Sequence, residues 1–575
     1  MKHSDQYYGR KHPMMVRLLL IWVTVSCTVP NIWLSFTERM PLFQSITNVL
    51  LPAGVYALLM SLTRRIGRSS LWMIILFVFA AFQLVLLYMY GRSVIAVDMF
   101  LNVVTTNPTE VNELLSNLFV VILLAVIIYL PPIVCGIVAA IGRWRLSAGE
   151  QRATRRTGLL LVAAGVITMC CGFAEKRSYN PLHDIYPANI AYNLVTAVVR
   201  TFKVVNYHDT SAGFTYDATS TRADSIPELY VLVIGETSRA DNWQLCGYDR
   251  PTTPALAGRD GLVSFRRAIS QSNTTHKAVP MLLSPLDAET FTDSIYHVKS
   301  MITAFKEAGF ATSYISNQSR NHSLIDFFGE EADTCIFLAD NPRPDGEHHY
   351  DSELVNYLRD AISRGDGKQL VVLHTYGSHF NYIDRYPQEQ AKFVPDRPAR
   401  ATVHFRDKQI NAYDNTILYT SNFLGDIIDL LDERGGNAVM VYTSDHGEDI
   451  FDDERNLFLH ASPIPSYYQL HVPFVVWMNA GYRGAYPEIE QALAANSDKF
   501  VASSMAFFHT VMDMAGISTK YADEKRSVAS AKYTPERAMY LNDHNDGVPL
   551  SDCGILHYDT ERLDSLSIPL CGDGL

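Results

Sequence analysis

Residues 71–90 read LWMIILFVFAAFQLVLLYMY, twenty positions without a charge. About 20 apolar residues in a helix cross the hydrocarbon core of a bilayer. Inside lipid the backbone finds no solvent partner, so a continuous helix is the simplest way to satisfy every N–H and C=O group. Segments 14–34, 45–62, 118–140 and 157–174 share this character, which gives five expected spans. Lys and Arg gather at positions 2, 10, 11 and 17, at 64, 65 and 68, and at 143, 145, 152, 155 and 156. These clusters fall on one side of a five-span unit only when the N-terminus is cytoplasmic. Everything after about residue 175 is then expected on the opposite side. A cleaved leader would explain the first apolar stretch alone; four others follow it, and no small-x-small site stands after Pro30.

The rest of the 575-residue chain has the composition of a water-soluble globular protein, a split hidden by the average hydrophobic content of 48%. A net charge of −12 argues against nucleic acid as a partner. The expected organisation is a transmembrane domain over 1–175, with an amphipathic segment near 95–115 on the outer side, then a junction over 176–226 and an α/β domain over 227–575. Within the junction, NIAYNLVTAVVRTFKVV (189–205) has the pattern of a helix lying on the bilayer. The Thr/Ser/Ala/Asp-rich stretch 210–225 reads as a linker. Cys246, Cys335, Cys553 and Cys571 lie in the outer part, where disulfides persist, and Cys553 with Cys571 is a candidate pair.

Strand-like runs alternate with helix-like patterns after residue 227, which predicts a mostly parallel sheet covered by helices. The strand candidates are YVLVIGE (230–236), ATSYIS (311–316), LVVLHT (370–375), AVMVYTSD (438–445) and VPFVVWM (472–478). Ligands of such sheets bind beyond the carboxyl ends of the strands. Three of these runs end in donors: the first at Glu236, the second through HTYGSH to His379, the third in TSDHGED with Asp445 beside His446. Carboxylate oxygens and imidazole nitrogens are the donors that Zn²⁺ accepts. His460 in FLHASP is a further candidate, while His374 and His471 read as packing residues. A hydroxyl completing such a site would be activated as a nucleophile. SQSNTTHKAVPMLLSP (270–285) is a polar turn leading into a helical pattern, where Thr274 and Thr275 fit equally well.

The stretches VLVIGETSRADNWQLCGYDRPTTPAL, SNTTHKAVPMLLS, HTYGSHFNYIDRYP, YDNTILYTSNFLGDIID and YTSDHGEDI resemble, in that order, the bacterial phosphoethanolamine transferases of the alkaline phosphatase/sulfatase superfamily. The likeness runs from the first span to about residue 485. It implies a five-helix transmembrane domain joined to a sulfatase/alkaline-phosphatase-like α/β domain, in the bacterial inner membrane with the catalytic domain in the periplasm. It selects Thr275, five residues before Pro280, as nucleophile, with Glu236, Asp445 and His446 as the remaining ligands of a catalytic zinc. His379 and His460 match histidines that contact the transferred phosphate or a second zinc. The turn SNQSRNHS (316–323) matches a substrate-binding loop, in which the family's lysine is replaced by His322, with Gln318 the other candidate contact. DMFLNVVTTNPTEVNELL (98–115) resembles the segment that holds the ethanolamine end of the lipid; Asn102, Thr106 and Glu110 recur every four residues, on one helix face. Where family members carry cysteines flanking the nucleophile turn, this chain has Gln271 and Met281.

The activity so implied is transfer of phosphoethanolamine from phosphatidylethanolamine, through a covalent threonine intermediate, to lipid A or another envelope glycan, by a monomer. Masking an anionic phosphate in this way would weaken binding of cationic peptides such as polymyxins. A glycerophosphotransferase on the same scaffold has no use for Glu110 as a counter-ion. A sulfatase needs a Cys or Ser where Thr275 stands, and a non-catalytic scaffold has no need of the intact Glu236, Thr275, Asp445 and His446.

Overall fold

The computed structural model describes residues 13–37, 40–90, 95–105, 119–175, 180–223, 226–341, 343, 348–365 and 367–570. The chain divides into two compact units, Met1–Val199 and Arg200–Leu575.

In the first unit, four helices are long and apolar enough to cross a membrane: Pro13–Thr37 (α1), Leu42–Met60 (α2), Val120–Ile141 within α5 (Phe119–Ile141), and Ala148–Glu175 (α6). A bent pair, Ile66–Trp72 (α3) and Ile74–Leu87 within α4 (Ile74–Tyr90), supplies a fifth if counted as one span; its halves meet at 47°. The charge-free run at 71–90 thus starts at a bend and continues as the helix Ile74–Tyr90. Small residues bring α2 and α6 together: a Cβ on Gly54 would lie 2.8 Å from the Val162 backbone nitrogen, and one on Gly165 would lie 2.8 Å from the Leu51 Cα. Lipid gives no hydrophobic push between helices, so such close backbone approach is what holds them. Described members of the three basic clusters meet at one end. Arg17 pairs with Glu150 at 2.6 Å, Arg64 donates to the Leu146 carbonyl at 3.0 Å, and Arg155 donates to the Ser61 carbonyl at 3.2 Å. That is the one-sided distribution expected of positive-inside topology.

The helix Ala188–Val205 exposes Tyr192, Val195, Val199 and Phe202, an apolar face of the kind that lies on a bilayer. The stretch that follows is held down rather than free. Tyr207 and Tyr216 are buried, and the Tyr216 hydroxyl donates to the Lys299 carbonyl at 2.6 Å.

The second unit is built on a seven-stranded sheet. In chain order its strands are Glu228–Gly235 (β1), Leu262–Phe265 (β2), Ala311–Ser316 (β3), Thr334–Phe337 (β4), Gln369–His374 (β5), Asn437–Ser444 (β6) and Phe474–Met478 (β7). Their spatial order is β2-β7-β6-β1-β5-β3-β4. The neighbours from β6 to β4 are parallel, and β7 runs antiparallel to both β6 and β2. All eight residues of β1 are buried, and they alternate between two cores. Tyr230, Leu232 and Ile234 join one with Phe305 and Phe508; Leu229, Val231 and Val233 join the other with Ile427 and Leu431 of the long helix Arg406–Arg434. Each Val, Leu or Ile so buried contributes about 1.5–3 kcal/mol. Burial on both faces explains why the run carries no polar alternation.

Candidate active site

β6, β1 and β5 are adjacent and parallel at the sheet centre, so the residues after their carboxyl ends gather above one edge. The chain turns there without side-chain room. A Cβ on Gly377, whose φ is +57°, would lie 2.4 Å from the Glu236 carbonyl oxygen. Only glycine permits that approach, and Ser378 donates its backbone N–H to the same carbonyl at 2.9 Å.

Glu236, Asp445 and His446 are all buried and each offers a donor atom within 4.8 Å of the others. His446 Nε2 lies 3.6 Å from Glu236 Oε1 and 3.3 Å from Asp445 Oδ2. His446 Nδ1 meets the Gly447 carbonyl at 2.9 Å, which places the proton there and leaves Nε2 with a lone pair facing the cluster. Asp445 Oδ1 accepts the backbone N–H groups of Thr237 at 3.1 Å and His446 at 2.7 Å, whereas Oδ2 is buried without any partner. Burial, and then the neighbouring Asp445 carboxylate, hold the Glu236 carboxyl well above the usual range. Burial likewise pushes the His446 imidazole down to about 4. An orphaned carboxylate oxygen, a second buried carboxylate and a free imidazole nitrogen fit a divalent cation, and the O,O,N donor set suits zinc.

Thr275 is the first residue of helix Thr275–Leu282, with Thr274 at the N-cap. Thr275 Oγ1 stands 3.3 Å from Glu236 Oε2, 3.4 Å from Oε1 and 3.1 Å from His446 Nε2. Thr274 Oγ1 points instead to Ser272 Oγ, 3.2 Å away. The two threonines that sequence pattern leaves equivalent are thus separated by one step of the helix start: only the first helical residue reaches the cluster.

His460 lies with its ring 4.2 Å from that of His446 and 5.7 Å from that of His379. Burial pushes His460 down to about 3, which keeps it neutral. His379 Nδ1 meets the Phe380 carbonyl at 2.8 Å. Sequence reasoning passed over Glu448, although it stands in the same TSDHGED run. It is fully buried, its Oε1 lies 3.3 Å from His460 Nδ1, and its Oε2 accepts from the Tyr382 hydroxyl at 2.7 Å. Burial pushes this carboxyl up to about 7. Its position two residues after His446 is the signal that could have marked it.

The other expected contacts are placed less tightly. Gln318 donates its side-chain amide to the Thr375 carbonyl at 2.8 Å, beyond the end of β5. His322 has a φ of +56°, and its backbone N–H donates to Asp326 at 2.7 Å. Among the described residues, these bonds lead away from Thr275 and the donor cluster. Thr106 and Glu110 lie outside the described residues; Asn102 belongs to the helix Val97–Thr105, with its side chain outside them. Cys571, half of the candidate disulfide, also lies outside them. His374 and His471 are bonded within the protein, His374 to the Tyr314 hydroxyl at 3.1 Å and His471 to Asp241 at 2.7 Å.

The turn before Thr275 is fastened by a segment that the sequence left unassigned. In the hairpin Met539–Leu541 and Gly547–Pro549, Leu541 donates its N–H to the Gln271 carbonyl at 2.8 Å. The Tyr540 hydroxyl donates to Asn273 Oδ1 at 2.7 Å, and Lys277 Nζ donates to the Asn542 carbonyl at 2.8 Å. These bonds tie the turn that lacks flanking cysteines. Tyr540→Phe, which strands a buried acceptor, is expected to cost about 1–3 kcal/mol in chemical unfolding.

Residues 228–517 match the family described as Sulfatase. Phosphoethanolamine transferase EptA of Escherichia coli K12 is 31% identical over 300 residues, 51% of this chain and 54% of that protein. The chain thus spans about half the length of such curated relatives. Among solved structures, the integral membrane lipooligosaccharide phosphoethanolamine transferase A of Neisseria meningitidis has a TM-score of 0.69 at 22% identity, covering 90% of this chain and 98% of its own. The C-terminal periplasmic domain of EptC from Escherichia coli, solved with zinc, has a TM-score of 0.52 at 24% identity, covering 58% of this chain and 96% of its own. At these identities the two structures establish the fold, membrane unit included. The family match covers half of the chain and contains Glu236, Asp445 and His446, so this protein is a member of the sulfatase family.

Proposed function

We propose that this protein transfers phosphoethanolamine from phosphatidylethanolamine to an anionic envelope acceptor, a lipid A phosphate or a related glycan, through a phosphoethanolamine ester on Thr275. The observation that carries this reading is the position of Thr275 Oγ1, at a helix start and 3.1–3.4 Å from Glu236 and His446. The names of the EptA relatives supply the group transferred. Glu236, Asp445, His446 and the Thr275 hydroxyl would hold a zinc ion. When bound, such an ion supplies positive charge to phosphoryl oxygens and lowers the pKa of a coordinated hydroxyl.

The protein's own groups do the rest. Thr275 Oγ attacks phosphorus in line, an Oγ–P bond forms and the P–O bond to diacylglycerol breaks. A proton passes through the imidazole pair His379–His460 to the departing oxygen. His379 or His460 takes up the Thr275 proton and supplies it to that oxygen. Glu448 steadies His460 through Nδ1. The acceptor oxygen then attacks the same phosphorus, the Oγ–P bond breaks, and the proton lost by the acceptor hydroxyl passes to Thr275 Oγ. The positive end of the helix dipole at the start of Thr275–Leu282 favours the negative charge on the ester. Asn102, Thr106 and Glu110 are the proposed contacts of the ethanolammonium group. The protein is placed in the inner membrane with its second unit in the periplasm.

The test uses the full-length protein in vesicles of phosphatidylethanolamine without acceptor. Rapid quenching, proteolysis and mass spectrometry are expected to find phosphoethanolamine on the peptide bearing Thr275. An adduct of phosphoglycerol formed only from phosphatidylglycerol vesicles would transfer the assignment to a glycerophosphotransferase. Turnover with an adduct elsewhere, or with none, would reject the role of Thr275.

A further inference from the structure

We propose that Thr237 is a positioning residue that fixes the orientation of the Glu236 and Asp445 carboxylates for metal binding, an inference that rests on the metal site proposed above. Thr237 is fully buried and has a φ of +56°. That region is costly for a β-branched side chain, of order 1–3 kcal/mol, and strain of this kind persists where surroundings impose it. Glycine would take the same backbone conformation freely. A side chain retained at such a position invites the question of what its hydroxyl does.

Thr237 Oγ1 donates to Glu236 Oε1 at 2.6 Å, and its backbone N–H donates to Asp445 Oδ1 at 3.1 Å. The carbonyl of Thr237 accepts from the Tyr413 hydroxyl at 2.7 Å, and that hydroxyl in turn accepts the Arg239 N–H at 2.9 Å. One residue, anchored to the long helix Arg406–Arg434, therefore occupies an oxygen of each carboxylate. Both Glu236 oxygens lie near the cluster, Oε1 at 3.4 Å from Thr275 Oγ1 and 3.6 Å from His446 Nε2, so the rotation of this carboxylate decides how it meets an ion. Glu236 Oε2 is 3.3 Å from Thr275 Oγ1, and Asp445 Oδ2, which has no partner, is 3.3 Å from His446 Nε2. Without the hydroxyl, the Glu236 carboxylate loses the bond that fixes its rotation. Outer-shell hydrogen bonds of this kind typically govern metal affinity by about 10–100-fold.

The experiment measures zinc dissociation constants of the full-length protein in detergent by chelator competition, together with the melting temperature of each metal-free variant. Thr237→Val and Thr237→Gly, which lack the hydroxyl, are expected to bind zinc about 10–100-fold more weakly. Thr237→Ser restores the hydroxyl and is expected to bind within about threefold of the parent. Thr237→Gly also relieves the backbone, so it is expected to melt no lower than the parent while binding zinc worse; a merely structural threonine cannot produce that split. If the valine and glycine variants bind zinc as the parent does, Thr237 has no such role and the metal site still stands. If affinity falls in step with melting temperature in all three variants, serine included, the residue is structural only. If the parent itself binds no zinc, the metal reading fails and this inference fails with it.

Discussion

Thr275→Ala is expected to lower phosphoethanolamine transfer by about 10⁵-fold or more, the scale seen when a covalent nucleophile is deleted. The fold has little reason to respond. Thr275 is only half-buried, and Thr274 retains its place at the N-cap of helix Thr275–Leu282. The expected result is therefore a variant that melts within a few degrees of the parent, still binds zinc through Glu236, Asp445 and His446, and leaves acceptor lipids unmodified by mass spectrometry. Thr275→Ser keeps the attacking oxygen but loses the β-methyl that restricts its rotamer. It should retain measurable transfer and form the same adduct one residue type removed. Substantial transfer by the alanine variant would show that phosphorus is attacked by another group.

Asp445→Asn should abolish transfer for a different reason and carry an opposite sign in stability. Asp445 Oδ2 is buried and unpartnered, and the Asp445 carboxylate contributes to the upward shift of Glu236. Two buried carboxylates repel when no cation lies between them. Removing one charge relieves that repulsion, so the metal-free variant is expected to melt higher than the metal-free parent. Asn Oδ1 can still accept the backbone N–H groups of Thr237 and His446 that Asp445 Oδ1 accepts. The parent should gain stability with added zinc, about 4 kcal/mol at a thousandfold excess over Kd, and the variant should gain almost none. Calorimetry of both proteins with and without chelator checks this. Equal zinc dependence in the two would remove Asp445 from the ligand set. The trade is the usual one at active sites, where groups that destabilise the empty protein are kept for chemistry.

Much of the fold and site could be read before any coordinates. The apolar stretches at 71–90 and 118–140 are long enough that lipid is their only economical environment. The runs that became β1, β5 and β6 are hydrophobic on both faces because both faces are covered. The donors at Glu236, Asp445 and His446 were legible because they interrupt such runs abruptly. β2 and β4 escaped notice because each is four residues long, with half-buried positions that give no clear period. The kink between α3 and α4 was invisible to hydropathy, which measures transfer from water and not direction. Thr274 and Thr275 were indistinguishable because N-cap and first-turn positions share a composition. Glu448 and Thr237 escaped because their importance lies in what their oxygens and hydrogens touch, and a lone polar residue near a strand end has no pattern of its own.

The middle strand β1 is made first, yet its two neighbours, β5 and β6, come from residues 369–374 and 437–444. During synthesis at roughly 5–20 residues per second, its sticky edges wait on the order of ten seconds or more for a mate. Any ribosome that stops before the last of these neighbours releases a polypeptide whose most aggregation-prone segment has no permanent cover. Biogenesis of this protein should accordingly depend on escorts that shield nascent chains, and truncated products should be degraded rather than accumulate as partly active fragments.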